Sequence, residues 1–145
     1  VERQAPLPTV DELLRAKHGG EVPELVTIAA HAKVGEGIDT MQRYGISQLP
    51  VVRDGQCESL ADVIGSLQDR ALLERVFGNP DAVHEDVAAA MQPPLAAVEA
   101  SATLDEVFAT LTGGGSAVVV VARDGKPVGV LTRSDLLEFL AHRGA

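Results

Sequence analysis

The chain has little aromatic character: one tyrosine, three phenylalanines and no tryptophan in 145 residues. Any core must therefore be aliphatic, and hydrophobic residues make up 46% of the chain. Cysteine occurs once, as Cys57. That excludes an internal disulfide and a cysteine-based metal centre, and the expected setting is cytoplasmic. Long apolar runs are missing too; no stretch reaches the about 18 residues that a membrane span needs. Basic residues are outnumbered, 12 Lys and Arg against 21 Asp and Glu, for a net charge of −9. Nucleic-acid affinity comes from Lys and Arg neutralising phosphates, and anionic membranes attract polybasic segments. Neither partner is expected, and the acidity reads as solubility. The opening VERQAPLPTV has no initiating Met and no signal-peptide pattern, and reads as the start of a piece cut from a longer chain.

Catalytic constellations are missing as well. His18, His31, His84 and His142 are dispersed with no i, i+4 pair, so no metal site is expected. Gly113–Gly115 follows a helical segment and precedes a strand. A phosphate cradle needs the reverse order, so these glycines read as a helix stop. No Ser–His–Asp or Cys–His set carries a local signature. No catalytic residue is assigned.

What the chain does contain is a repeat. Residues 1–8 read as a linker. Thr9 and Glu12 have capping-box spacing for a helix that the glycines at 19–20 stop, followed by Pro23. A short strand is expected over 25–28. Val34, Ile38 and Met41 share a helical face that ends at Gly45. A strand over 46–52, a turn at Arg53-Asp54-Gly55, a strand over 60–67 and a helix over 69–77 complete the first half. Residues 79–86 connect. The second half brings a helix over 87–91, a strand over 95–98 and a helix opened by Thr103 and Glu106. That helix places Leu104, Val107, Phe108 and Leu111 on one face. The β-branched run 116–122 reads as a strand buried on both faces. Arg123-Asp124-Gly125 turns, a strand ends at Leu131, and a last helix opens at Thr132.

At a shift of 70 residues, Pro23 falls on Pro93, Leu25 on Leu95, Glu36 on Glu106, Thr40 on Thr110, Gly45 on Gly115 and Val51 on Val121. Arg53-Asp54-Gly55 falls on Arg123-Asp124-Gly125. Six extra residues follow in the first half, after which GSLQDRALL (65–73) aligns with GVLTRSDLL (129–137). The predicted class is α/β. Two tandem strand–helix–strand–strand–helix repeats, 9–78 and 87–145, are packed about a pseudo-twofold axis, with the cleft between them as the expected small-molecule site.

The aligned junctions differ in chemistry. Thr132 falls on Gln68 and Asp135 on Ala71. A carboxylate can accept two hydrogen bonds from a ribose diol; an alanine cannot. One polar site and one degenerate one are expected. T-x-x-D at a helix start is also a capping box, and the two roles are compatible.

Two units carrying GISQLPVV and GSAVVVVARDGKPVGVLTRSDLLEFL resemble a CBS-domain pair, or Bateman module, over about residues 9–142. EVPELVTI, RYGISQLPVV and KPVGVLTRSDLLEFL are further similar to the C-terminal regulatory region of the actinobacterial cystathionine β-synthase family. The resemblance implies an adenosyl ligand, S-adenosylmethionine or AMP/ATP, held between the repeats, and no cofactor in this chain itself. It implies a composite site of Leu25, Val26, Ile46, Ser47, Gln48 and Leu49 with Val130, Thr132, Ser134 and Asp135. Where the family has an acidic residue this chain has Ser47, which offers only a hydrogen bond. The implied partners are the pyridoxal-phosphate catalytic domain of a parent enzyme and a second copy of the module. Three functions follow: a sensor for S-adenosylmethionine, an AMP/ATP energy sensor, and a ligand-free oligomerisation module using Leu72, Leu73, Leu136, Leu137 and Leu140. For the energy sensor, Arg133, Arg43 and Lys126 are the cations on offer.

Overall fold

Thr9 acts as its spacing predicts: its Oγ1 accepts from the Glu12 N–H at 3.3 Å, and helix α1 runs Val10–Lys17. The computed structural model describes residues 8–17 and 25–143. The expected linker up to residue 7, the glycines at 19–20 and Pro23 lie outside them. Val10, Leu13 and Leu14, at i, i+3 and i+4, are almost fully buried, as an amphipathic helix requires.

The chain divides into two compact units. One is Val26–Leu95; the other joins α1 to the chain from Ala96 onward. The units therefore cut the chain at other points than the repeat frame does. In the first, β1 (Ile28–Ala29), α2 (Val34–Tyr44), β2 (Gln48–Val52), β3 (Val63–Gln68), α3 (Asp69–Gly78) and α4 (Val87–Ala90) follow in order. Its sheet has the order β1-β2-β3, with β1 parallel and β3 antiparallel to β2. In the second, β4 (Ala96–Glu99), α5 (Leu104–Thr112), β5 (Ala117–Val121), β6 (Pro127–Thr132) and α6 (Arg133–Arg143) repeat the plan. Its sheet has the order β4-β5-β6 with the same senses. Each unit has its own aliphatic cluster. Leu49, Val51, Leu67 and Val87 are central to one, and Leu14, Val107, Val118 and Leu131 to the other. The repeat reaches side-chain detail: Thr40 Oγ1 donates to the Glu36 carbonyl at 2.8 Å and Thr110 Oγ1 to that of Glu106 at 3.1 Å.

Several expected elements shift. The strand expected over 25–28 is Ile28–Ala29 alone. The segment 60–67 opens with a 3-10 turn at Leu60–Asp62, where Ser59 and Asp62 form a capping box, and extends only from Val63. The connector 79–86 holds a second 3-10 turn, Pro80–His84. Phe108 lies off the buried face of α5 and is 57% exposed. Leu72 and Leu136, expected on an edge face, are core residues. Gly125 turns with φ 87°, whereas Gly55 adopts no positive φ. The six additional residues after Gly55 give that connection a different course. Among the described residues no helix is long and apolar enough to cross a membrane.

Two glycines set how closely a helix approaches each sheet. A Cβ on Gly129 would lie 2.6 Å from Leu14 Cδ1, and one on Gly65 would lie 2.6 Å from Met91 Sδ. Without side chains there, α1 lies against β6, and the residue after α4 lies against β3.

Candidate functional site

The close seat of α1 on β6 brings its last residue to the junction singled out by the repeat. Thr132 ends β6, paired with Ala117, and α6 starts at Arg133, one residue later than expected. The Thr132 N–H donates to Asp135 Oδ2 at 2.8 Å, and the Asp135 N–H donates to Thr132 Oγ1 at 3.3 Å. This is a reciprocal capping box. Thr132 Oγ1 also donates to Asp135 Oδ2 at 3.0 Å.

A further donor comes from far away in the sequence. Lys17 Nζ lies 2.9 Å from Asp135 Oδ2 and donates to the Val130 carbonyl at 2.8 Å. The Lys17 and Asp135 side chains are 25% and 15% exposed. Three donors thus converge on Oδ2, while Oδ1 accepts from none of the described residues. No buried side-chain oxygen or nitrogen lacks a partner among them, so Oδ1 faces solvent. The result is a fixed carboxylate with one free acceptor edge beside an ammonium.

Of the other residues expected here, Val130 is half-buried and Ser134 exposed. Arg133 turns away: its Nη1 donates to the carbonyls of Gly115 at 3.1 Å and Leu111 at 3.4 Å, at the end of α5. It is not the cation of this junction.

The residues expected from the first half lie in the other unit, apart from Leu25. Ser47 Oγ donates to Gln48 Oε1 at 2.9 Å, and the Ser47 carbonyl accepts from the Asp69 N–H at 3.0 Å, steadying the start of α3. Gln48 stands opposite Gln68. Ile46 and Val26 pack on the core, and Leu49 is fully buried within it, so Leu49 offers no side-chain surface to a ligand. Leu25 is half-buried.

The degenerate junction is built differently. Gln68 makes no side-chain cap on α3, and its Nε2 donates to Ser66 Oγ at 3.1 Å. The Ser66 carbonyl, aligned with that of Val130, accepts from the Gln92 N–H at 2.7 Å. A neutral main-chain amide stands there where the other unit has the Lys17 ammonium.

Sequence reasoning missed Lys17. A lysine in the last turn of a helix is common and favoured by the helix dipole, and nothing local marks its partner more than a hundred residues on. The Leu14–Gly129 approach would have been the clue. Elsewhere in the same unit a cleft of about 430 Å³ is lined by Thr9, Asp11, Glu99, Ala100, Ser101, Val121 and Arg123, none of them an expected ligand residue. Among the described residues no group of three or more His, Cys, Asp or Glu could hold a metal ion.

Comparison with known proteins bears on the whole chain. The family described as CBS domain matches twice, over residues 20–78 and 85–142. A CBS-domain containing protein from Agrobacterium tumefaciens is 23% identical over 95% of this chain and 97% of its own, with a TM-score of 0.74. CBSX2, solved in complex with AMP, is 21% identical over 94% and 98%, with a TM-score of 0.70. The CBS domain pair of MJ0100, solved in complex with 5′-methylthioadenosine and S-adenosyl-L-methionine, is 16% identical over 95% and 99%, with a TM-score of 0.74. At these identities the likeness is one of fold.

Proposed function

This chain belongs to the CBS-domain family, and on that premise we propose that it is a regulatory module that takes an adenosyl ligand at the Thr132–Asp135 junction. One observation carries the reading. Asp135 is held on Oδ2 by three donors and leaves Oδ1 open. An ionised carboxylate only accepts hydrogen bonds, and a ribose diol donates them. The orientation is fixed before the ligand arrives, so little side-chain freedom is lost on binding. That structurally similar CBS proteins were solved with AMP and with S-adenosyl-L-methionine supports the ligand class. Leu25, Val26, Ile46, Ser47 and Gln48, with Val130 and Ser134, are the further contacts that the family resemblance supplies.

Finer readings rest on the same resemblance. The parent protein is a cystathionine β-synthase, its catalytic domain is the partner regulated, and S-adenosylmethionine is the ligand the resemblance favours. A ligand acts on such a partner only through unequal affinity for two states of the assembly. The coding sequence upstream of Val1 tests the parent directly. The lone Cys57 supports a cytoplasmic setting. The exposed side chains of Leu73, Phe77, Leu137 and Leu140 favour a homodimer, an assembly role that needs no ligand and excludes none.

A thermal-shift series with S-adenosylmethionine, AMP, ADP and ATP on the parent and on Asp135→Ala tests the site. A ligand at a hundredfold its Kd adds about 2.7 kcal/mol, which raises Tm by roughly 5–10 °C in a domain of this size. The expected result is a shift in the parent that the variant loses. Asp135→Ala also removes half a capping box, so its ligand-free Tm falls, by an amount matching about 1 kcal/mol. Equal shifts in both proteins would place the ligand elsewhere.

A further inference from the structure

We infer that Lys17 sets the charge of the ligand accepted at the Thr132–Asp135 junction, selecting a phosphorylated adenosine over one that carries a sulfonium. The inference rests on the proposed adenosyl site, adds a residue that the family resemblance does not supply, and departs from that resemblance in favouring AMP over S-adenosylmethionine.

The argument is one of charge at a fixed place. AMP and S-adenosylmethionine share the adenosine and differ at C5′, where one bears a phosphate and the other a sulfonium. If both use their ribose on Asp135, the sign of the charge near C5′ decides between them. A bare Asp135 carboxylate, in a chain of net charge −9, would favour the sulfonium. Lys17 cancels that carboxylate at 2.9 Å. Its ammonium has three donors, and two are engaged, by Asp135 Oδ2 and the Val130 carbonyl. The third meets no described residue and is available to an anion. A ligand hydroxyl bonded to Oδ1 lies within roughly 8 Å of Nζ on ordinary hydrogen-bond lengths. The charge at C5′ lies across the ribose from that hydroxyl, and between partly buried charges such a distance is screened less than between exposed ones. Arg133, the other cation of the junction by sequence, is held by the Leu111 and Gly115 carbonyls. The backbone of α1 that carries Lys17 is fixed in turn, since Leu14 is fully buried and seated on Gly129. The Gln68 junction has the neutral Gln92 amide in the matching place, so this selectivity belongs to one junction alone.

The test is calorimetric titration of the full chain with adenosine, AMP and S-adenosylmethionine, for the parent, Lys17→Met, Lys17→Gln and Lys17→Arg. The parent is expected to bind AMP about tenfold or more tighter than S-adenosylmethionine, and both neutral variants to narrow that ratio by about tenfold, as loss of one near charge should. Adenosine, which has no charge at C5′, reports what the neutral variants lose through Asp135 alone, so the AMP and S-adenosylmethionine affinities are each read relative to it, and Lys17→Arg should keep the preference. Lys17→Gln retains hydrogen-bonding capacity, so it answers the question if Lys17→Met is unstable. A ratio unmoved by both neutral variants, with all three ligands still binding, overturns the role of Lys17 and leaves the site standing. Failure of the parent to bind any of the three overturns the site and this inference together.

Discussion

The residue that places Lys17 is one with no side chain. A Cβ on Gly129 would meet Leu14 Cδ1 at 2.6 Å, Cδ2 at 3.2 Å and Cγ at 3.4 Å. The end of a leucine can often move aside, but Leu14 is fully buried among close-packed neighbours and has little room to do so. Valine at position 129 must therefore lift α1 from β6. Overpacking of this kind costs about 1–3 kcal/mol. Gly129→Val should lower the urea midpoint accordingly at an unchanged m-value. It should also weaken adenosyl binding without touching a ligand group, because Lys17 travels with α1. An unchanged midpoint would mean that the helix seat is softer than its geometry implies. Gly65 is held more firmly still, since its Cβ would lie 2.9 Å from the Gln92 carbonyl oxygen, a main-chain atom with no rotamer to change.

At the scale of elements, the sequence carried what is encoded locally. The Val34, Ile38, Met41 spacing and Gly45 mark α2 because a helix face and an αL cap are both short-range properties, and Gly45 has φ 63°. The four valines of β5 announce a strand buried on both faces. T-x-x-D announced the α6 cap. What depends on distant partners was not legible. Phe108 fits the apolar period of α5 yet meets solvent, and β1 shrinks to two residues because only Ile28 and Ala29 stand in register with β2. The connector after α3 was unreadable for the same reason. Glu85 is held by Arg75, Nε to Oε1 at 2.8 Å and Nη2 to Oε2 at 3.1 Å, and Asp86 by Lys33 at 2.7 Å. These hydrogen bonds hold both carboxyls below their ordinary values of 4.5 and 3.8. A carboxyl with a lowered folded pKa stabilises the fold above its ordinary value, and that contribution is lost as pH falls through the folded one. Acid should therefore loosen this connector first. Hydrogen exchange at the Val34 and Val87 amides, bonded to the Glu85 and Ala32 carbonyls, should lose protection relative to the β5 amides between about pH 6 and about pH 3, after correction for intrinsic rates. Salt at neutral pH should do part of the same, since the pairs are exposed. Equal protection at both pH values would show that the pairs hold nothing.

For the molecule as a whole, the repeat frame and the packing frame differ, and the difference bears on assembly. Val10 and Asp11 donate to the carbonyls of Ala102 and Ala100 as Val87 and Ala88 donate to those of Ala32 and Ala30. Each unit thus has its strands and one helix that precedes the other unit's strands in sequence, a pairing that no local pattern can announce. Within this plan α3 and α6 keep one leucine inward and present the next outward. Leu72 is 3% and Leu136 7% exposed, while their neighbours Leu73 and Leu137 are each 69% exposed. Phe77, at 87%, and Leu140, at 48%, add to the outward set. One exposed leucine is ordinary; the same exposed leucine at matched positions of two repeats, each with a further large apolar side chain on its own helix, gives each unit an apolar face of the kind that a protein–protein contact uses. A second copy is the simplest occupant, because a twofold interface sets the same patch on each partner. Sedimentation velocity should therefore find a dimer at micromolar concentration, and the double variant Leu73→Glu with Leu137→Glu should sediment as a monomer with an unchanged far-UV spectrum. Both substitutions lie at exposed positions, where changes usually alter stability by no more than about 0.5 kcal/mol, so loss of the dimer would report on the interface and not on folding. A parent that stays monomeric at about a hundred micromolar would leave these leucines without a partner among copies of the chain. It would also remove the assembly reading while the Asp135 site stood on its own ligand test.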